Sequence, residues 1–542
     1  MKLDYYQNTG CYALTLPRES ANVKAIMREH GLDYSETDST PNTAVMFTRD
    51  PYAASAYGSC ATARARAHLG DLFARIEKSQ AKAGTGRYPT PDGKHLWPFQ
   101  IADMDYLVET FSRGSHALDC DEPGLGKTPV SIVLANEMRA KQVLVVCPAS
   151  IRIQWAERIR EWSTMEGRYL VYPILKSADG VHPRAEWTIV SYDLLRSDPV
   201  SRSLAARRYD LLILDEAHYL KTSSTKRTRA VFLPDGLSSV CGHVVGLTGT
   251  PLPNRPRECF TLARNLCHAA IDYMAEDEFQ ERYNPMRVIE RRDPETKQIV
   301  GRASQEATGR LPELQARLRA NFMTRHLKRD VLDQLPELRV EIVHTGEDGD
   351  IRKALEAEKL LDIDPENLKG ANAEVLGHIS VVRKMMGMAK APHVAAYVAD
   401  ILSGGDEKIV VFGWHIAVLD HLEQALHKFG VLRVDGSTPA MRRREYVKRF
   451  CADPKVRVFL GNLQAIGTGT DGLQHAASHA IFAENSWTPS DNQQGISRLE
   501  RIGQNNGILA EFIVAPGSLD ERILGSSIRK MRNIHSALDE RF

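Results

Sequence analysis

Four short apolar runs, QVLVVCP, WTIVSYDLL, YDLLILDEAH and HVVGLTGTP, fall between about residues 96 and 251, each parted from the next by a helical pattern. Such alternation leaves few folds open. Strands laid parallel need crossover helices, and those helices cover both faces of the sheet. A second region, about 375 to 516, repeats the rhythm with KIVVFGWH, VLRVD, VRVFLGN, HAIFAE and AEFIVAP. We therefore expect an α/β chain of two tandem parallel-sheet lobes. The first should span 95–335, with a helical insertion over about 253–335 where strand rhythm gives way to Arg and helix formers. A helical connector is expected at 336–374, the second lobe at 375–516, and a C-terminal bracing helix at 517–542. Ahead of the lobes, residues 1–83 read as a small α/β module and the turn-rich 84–94, within GTGRYPTPDGKH, as a linker.

No uncharged apolar run has the length of a membrane span, and the N-terminus lacks a basic stretch followed by an apolar one. The chain is thus expected inside the cell, in cytoplasm or nucleoid, with a nucleus also open. Its eight cysteines form no C-x-x-C pairs, which disfavours zinc and a disulfide scaffold. Net charge is +1, so any nucleic-acid surface must come from local clusters of Arg and Lys.

Asp121 to Thr128, DEPGLGKT, ends in Gly-Lys-Thr and opens onto a helical pattern, where backbone N–H groups around Gly124 and Gly126 can wrap phosphate. Lys127 would neutralise the β- and γ-phosphates of ATP and Thr128 would ligate Mg²⁺. Pro123 in this loop can shape a turn but cannot donate an N–H. In LLILDEAH, 211–218, an apolar strand delivers two carboxylates at its C-terminal end, the edge at which parallel sheets bind ligands. Asp215 is expected in the Mg²⁺ shell and Glu216 as the group that polarises the attacking water. Thr248 and Thr250 follow a third strand, and their hydroxyls could couple the Asp/Glu segment to lobe position.

With these residues in place, the sequence over roughly 95–535 resembles the SWI/SNF-related branch of the superfamily-two helicase-like ATPases. Phe99-Gln100 precedes the phosphate loop as in the family, and VVCPASIRIQWAERIREW follows it. DEAHYLKTSSTKRTRA, LTGTPLPNRPRE and NFMTRHLKRDVLDQLP are similar to further family segments. The last of these, with VVRKMMGMAKAP, resembles most the HepA-related annealing helicases. The resemblance implies two RecA-like lobes, adenine recognition by Gln100, and duplex or branched DNA as partner. In QQGISRLERIGQ, 493–504, two arginines three residues apart would share one side of a helix. The family pattern makes Arg498 and Arg501 the groups that reach the γ-phosphate on closure. Glu500 departs from the His or Tyr often found before the last Arg. IGTGTDGLQ, 466–474, matches the preceding family motif loosely, with Thr470 and Asp471 as its candidates.

DNA contacts are expected from Lys221, Lys226 and Arg227 (with Arg229) and from Arg325, Lys328 and Arg329, whereas Arg442 to Arg444 read as a solvated face. Trp155 and Trp414 lie beside apolar strands and read as core aromatics. The expectation is a monomeric DNA-dependent ATPase that translocates on duplex DNA and remodels forks or anneals strands. A strand-separating helicase or restriction-type motor shares every ATP residue, and a non-catalytic ATP-gated clamp is the alternative of another class.

Overall fold

The computed structural model describes residues 1–18, 23–30, 32–164, 170–249, 255–292, 299–332, 336–360, 373–467 and 470–538. Two parallel sheets dominate it. The first has seven strands in the order Met323–Thr324, Ala117–Asp119, Cys241–Leu247, Tyr209–Asp215, Val143–Cys147, Trp187–Ser191 and Val171–Pro173. Every pairing in it is parallel. The second has six, in the order Leu338–His344, Ile508–Val514, His479–Phe482, Ile409–Gly413, Val458–Asn462 and Val431–Val434, again all parallel. VLVVC, WTIVS and IVVFG are buried at every residue, because each sheet is covered by helices on both faces. Apolar clusters lie on the two sides of each sheet: Leu144, Val190 and Leu212 against Val143, Ile189 and Ile213 in the first lobe, and Val410 and Phe459 against Val411 and Leu460 in the second. The fold is therefore two RecA-like α/β lobes in tandem.

Three stretches differ from what their composition suggests. The insertion carries helices Phe260–Cys267, Glu276–Tyr283 and Leu311–Asn321, but also an antiparallel hairpin, Met286–Arg292 with Ile299–Glu306. Its end, Met323–Thr324, returns to the first sheet beside Ala117–Asp119. The span expected as a helical connector supplies the strand Leu338–His344, so the second sheet begins before the expected boundary. That strand is a sheet edge with half-exposed or exposed residues throughout, and Arg339 and Glu341 break up the apolar run that marks a buried strand. Residues 84–94 form no helix or strand but are strapped down: Thr85 N, Gly86 N and the Tyr88 hydroxyl all donate to Asp105 on the helix Pro98–Ser112.

Residues 2–48 hold a four-stranded antiparallel sheet, followed by the helix Ala63–Lys78, which packs on Leu311–Asn321 of the first lobe. The C-terminal helix is Leu519–Leu538. No helix among the described residues is long and apolar enough to cross a membrane.

Candidate nucleotide site between the lobes

The strand Ala117–Asp119 runs into a loop that ends at the helix Lys127–Glu137. Gly124 and Gly126 have φ of +99° and +89°, a left-handed backbone that glycine adopts without penalty and that turns the loop's N–H groups inward. Lys127 Nζ donates to the Asp121 and Glu122 carbonyls of this loop. Pro129 stands in the helix's first turn, where its missing N–H has no intrahelical acceptor to lose. Gln100 is buried at the loop's base: its Oε1 accepts from Trp97 N at 2.9 Å and its Nε2 donates to Leu125 O at 2.8 Å. A Cβ at Gly126 would fall 2.4 Å from that Nε2, so this glycine also makes room for the glutamine. In this arrangement both polar atoms of Gln100 are occupied by protein backbone.

At the end of the central strand, Asp215 accepts from Trp155 Nε1 at 2.6 Å and from Glu216 N at 3.0 Å. Burial and the neighbouring Glu216 charge push Asp215 up to about 7. Burial acts on Glu216 too, but the His218 hydrogen bond and the His218 and Lys127 charges outweigh it and hold that carboxyl below its ordinary range. His218 Nδ1 lies 3.2 Å from Glu216 Oε2 and 3.1 Å from Thr248 Oγ1, a chain of contacts linking the carboxylate to the third strand. Thr250 lies outside the described residues.

From the second lobe, Arg498 and Arg501 converge on Asp471. Arg498 Nη1 is 3.1 Å from Asp471 Oδ1 and Arg501 bonds the same oxygen, while Gln154 of the first lobe holds Oδ2. Burial opposes charge on Asp471, yet the two arginines keep it well below the usual carboxylate range. Burial and the Arg501 charge lower Arg498 to about 10. The helical expectation for this pair is corrected: the helix ends at Ile496, and both arginines lie in the turns after it. They still face one way because Asp471 gathers them. One cleft of about 300 Å³ is lined by Lys127, Thr128, Asp215, Glu216, Arg498 and Arg501.

Of the basic residues expected on DNA, two are not on the surface. Arg325 is 4% exposed and donates to Cys120 O and Gly249 O, stapling the phosphate-loop strand to the segment after Thr248. Lys328 is 3% exposed and paired with Glu500. Charge in a sequence does not reveal burial, and both residues spend theirs inside the protein. Lys226 and Arg329 are exposed, Arg227 stacks over the Tyr219 ring at 5.2 Å, and Lys221 pairs with Glu258 at 3.1 Å. Trp155 is a core aromatic and more, since its indole N–H orients Asp215. Gln154 carried no signal of its role beyond its place in the helix Arg152–Trp162, directly after a strand.

Two family models match the chain, the SNF2-related domain over residues 99–386 and the helicase conserved C-terminal domain over 393–503. The chain is 30% identical over 459 residues to the DNA annealing helicase and endonuclease ZRANB3 of Bos taurus, covering 82% of this chain and 41% of that protein. It is 31% identical over 434 residues to the SWI/SNF-related matrix-associated actin-dependent regulator of chromatin subfamily A-like protein 1 of Xenopus tropicalis, covering 79% and 43%. It therefore spans less than half the length of these two relatives. A solved structure, the Sulfolobus solfataricus SWI2/SNF2 ATPase core in complex with dsDNA, aligns with 84% of this chain and 99% of that one at 16% identity and a TM-score of 0.40. With a family model covering more than half its length and a helicase C-terminal domain following in order, this chain belongs to the SNF2-related helicase-type ATPases.

Proposed function

We propose that the chain is a DNA-dependent ATPase that hydrolyses ATP with Mg²⁺ and moves on duplex DNA, remodelling forks or annealing strands. One observation carries the reading: Lys127, Thr128, Asp215 and Glu216 of one lobe and Arg498 and Arg501 of the other line a single cleft. The loop N–H groups and Lys127 bind the phosphates. Thr128 and Asp215 offer oxygen donors only, which suits Mg²⁺, an ion that keeps waters and takes its remaining ligands from phosphate. The raised Asp215 also fits, because a buried carboxylate with too little counter-charge is where a cation is best accommodated. The cation supplies charge neutralisation at the phosphates. Glu216, held ionised, accepts a hydrogen bond from the attacking water and then its proton. The arginines face charge that grows as the phosphoryl group leaves, a contribution typically of about 10³ to 10⁵ in rate.

DNA would lie along the exposed cations Lys226, Arg229 and Arg329. Such contacts read phosphate and not sequence, so DNA-stimulated turnover should vary little with base composition and fall steeply with salt. The relative ZRANB3 is named a DNA annealing helicase and endonuclease, which favours rewinding over unzipping. The test sets triplex displacement, forked-duplex unwinding and strand annealing side by side, with Glu216→Gln as control. ATP-dependent displacement or fork regression with negligible unwinding is expected. Robust separation of a long plain duplex would replace this reading with a strand-separating helicase.

A further inference from the structure

Behind the cleft the lobes meet a second time, through a cation that does not line it. Lys328 opens the short helix Lys328–Val331, on the chain leaving the first lobe, and is 3% exposed. Its Nζ lies 2.7 Å from Glu500 Oε2 and 3.4 Å from Ser497 Oγ, both in the second-lobe turn that carries Arg498 and Arg501. Its backbone N–H donates to Glu122 Oε2 of the phosphate loop at 2.7 Å. One residue thus holds the loop with its main chain and the arginine turn with its side chain.

The packing around it is equally specific. A Cβ at Gly124 would fall 3.0 Å from Arg501 Cγ and 3.6 Å from Lys328 Cε, so both stems lie against bare glycine backbone. Phe99, Leu125, Val331, Leu332 and Ile502 form an apolar cluster alongside, drawn from the helix before the phosphate loop, the loop itself, the connecting segment and the second lobe. The ammonium is buried and needs the Glu500 carboxylate beside it, whereas Glu500 itself, 23% exposed, keeps part of its hydration. Burial lowers Lys328, and the Glu500 and Glu122 charges offset part of that. The pair joins the connecting segment of the first lobe to the turn of the second, so any movement that separates the lobes must break it.

We infer that Lys328 and Glu500 form an inter-lobe latch that seats the 497–503 turn on the phosphate loop and so aims Arg498 and Arg501 at the nucleotide. Both are positioning residues, and their role rests on the proposed ATPase activity. The pair also explains why a lysine in a segment that resembles DNA contacts is withdrawn from the surface.

The test is a double-mutant cycle in the full chain: Lys328→Met, Glu500→Met and the two combined. Three quantities are measured: equilibrium ATP binding, kcat with saturating duplex DNA, and hydrogen exchange of 497–503 with and without nucleotide. Glu500→Met strands the buried Lys328 ammonium and Lys328→Met removes the only cation that ties Glu500 to the first lobe among its described partners, so each should lower kcat about tenfold or more, with ATP affinity within about threefold. Exchange over 497–503 should rise in step. The double variant keeps the packing and removes both charges, so its kcat should recover to within about threefold of the parent. Single variants that match the parent in kcat and exchange, or a double variant whose loss is the product of the two single losses, would overturn the latch. If the parent itself hydrolyses no ATP, the ATPase reading fails on that ground, while exchange at 497–503 still decides whether the pair seats the turn.

Discussion

Glu216 has φ of +53°, a left-handed backbone that costs a residue with a Cβ about 1 to 2 kcal/mol. The strain sits where the strand Tyr209–Asp215 hands over to the segment Ala217–Leu220, and it swings the carboxylate toward His218 and the cleft. A residue held in that conformation and kept ionised by His218 and Lys127 suits a proton acceptor better than a cap. Glu216→Gln preserves shape and removes basicity. Turnover should fall by about 10² to 10⁴ with ATP affinity unchanged, and lost affinity in a nucleotide-binding measurement would make Glu216 structural. Arg501→Ala tests the opposite wall. Its stem lies against the loop at Gly124 and its guanidinium is oriented by Asp471, so it is already presented to the cleft. Loss of about 10³ in DNA-stimulated kcat is expected, with ATP affinity nearly intact. Reduced affinity with kcat preserved would make it a binding residue.

The short edge strand Met323–Thr324 delivers His326 to a junction of three chain segments. His326 Nδ1 lies 3.1 Å from both Asp103 Oδ1 and Asp121 Oδ1, and its Nε2 donates to Ala81 O at 2.9 Å. The helix Pro98–Ser112, the phosphate loop and the residues after Ala63–Lys78 are thereby tied to one imidazole. Burial alone would drive its second proton off, but the Asp103 and Asp121 charges hold it well above the ordinary histidine range. A folded-state value above the unfolded one, about 6.5, means the clamp contributes fully below that pH and is lost as pH rises through the raised value. The gap in unfolding midpoint between parent and His326→Gln should therefore narrow from about pH 6.5 upward; a gap constant into the alkaline range would mean a neutral His326. This clamp was not legible in the sequence, and the reason separates it from what was. Strands such as Val143–Cys147 and Tyr209–Asp215 announce themselves because burial on both faces demands a continuous apolar run. The phosphate loop and the DEAH segment do so because their chemistry needs fixed residues at fixed spacing. Leu338–His344 is half-exposed and mixes charge with β-branched residues, so its periodicity is weak. Arg325 and Lys328 read with Arg329 as one basic surface because the groups that bind them inside the protein lie far away in the chain, at Gly249 and Glu500, and His326 gave no sign of its pairing with Asp121 for the same reason. Likewise Asp471 sits in a loosely matching motif, and only the fold brings Arg498, Arg501 and Gln154 onto it.

At the scale of the whole molecule the issue is which parts move together. Residues 1–83 do not hang from a free tether. Ile76, buried to 3% exposure, packs with Ala316 and Ala320 of the first lobe, flanked by Tyr52, Leu72 and Phe73. Asp33 pairs with Arg310 at 2.7 Å and Arg49 with Asp272 at 3.4 Å, while Ser79 O accepts from Thr324 Oγ1 at 3.1 Å. Ion pairs that keep part of their surface in water, as these do, contribute about 0 to 1 kcal/mol each, so the apolar seam carries most of the attachment. On these contacts the module should behave as an extension of the first lobe. Ile76→Ala removes the centre of the seam and should cost about 2 to 5 kcal/mol. Because the seam abuts the helix Leu311–Asn321, which leads into Thr324 and His326, that cost should fall on the module and the first lobe as one unit. Calorimetry should register a single first-lobe transition moved to lower temperature in the variant, with ATP protecting less of it. A separate early transition for the module, with the nucleotide-protected transition left in place, would mean that residues 1–83 fold and move on their own.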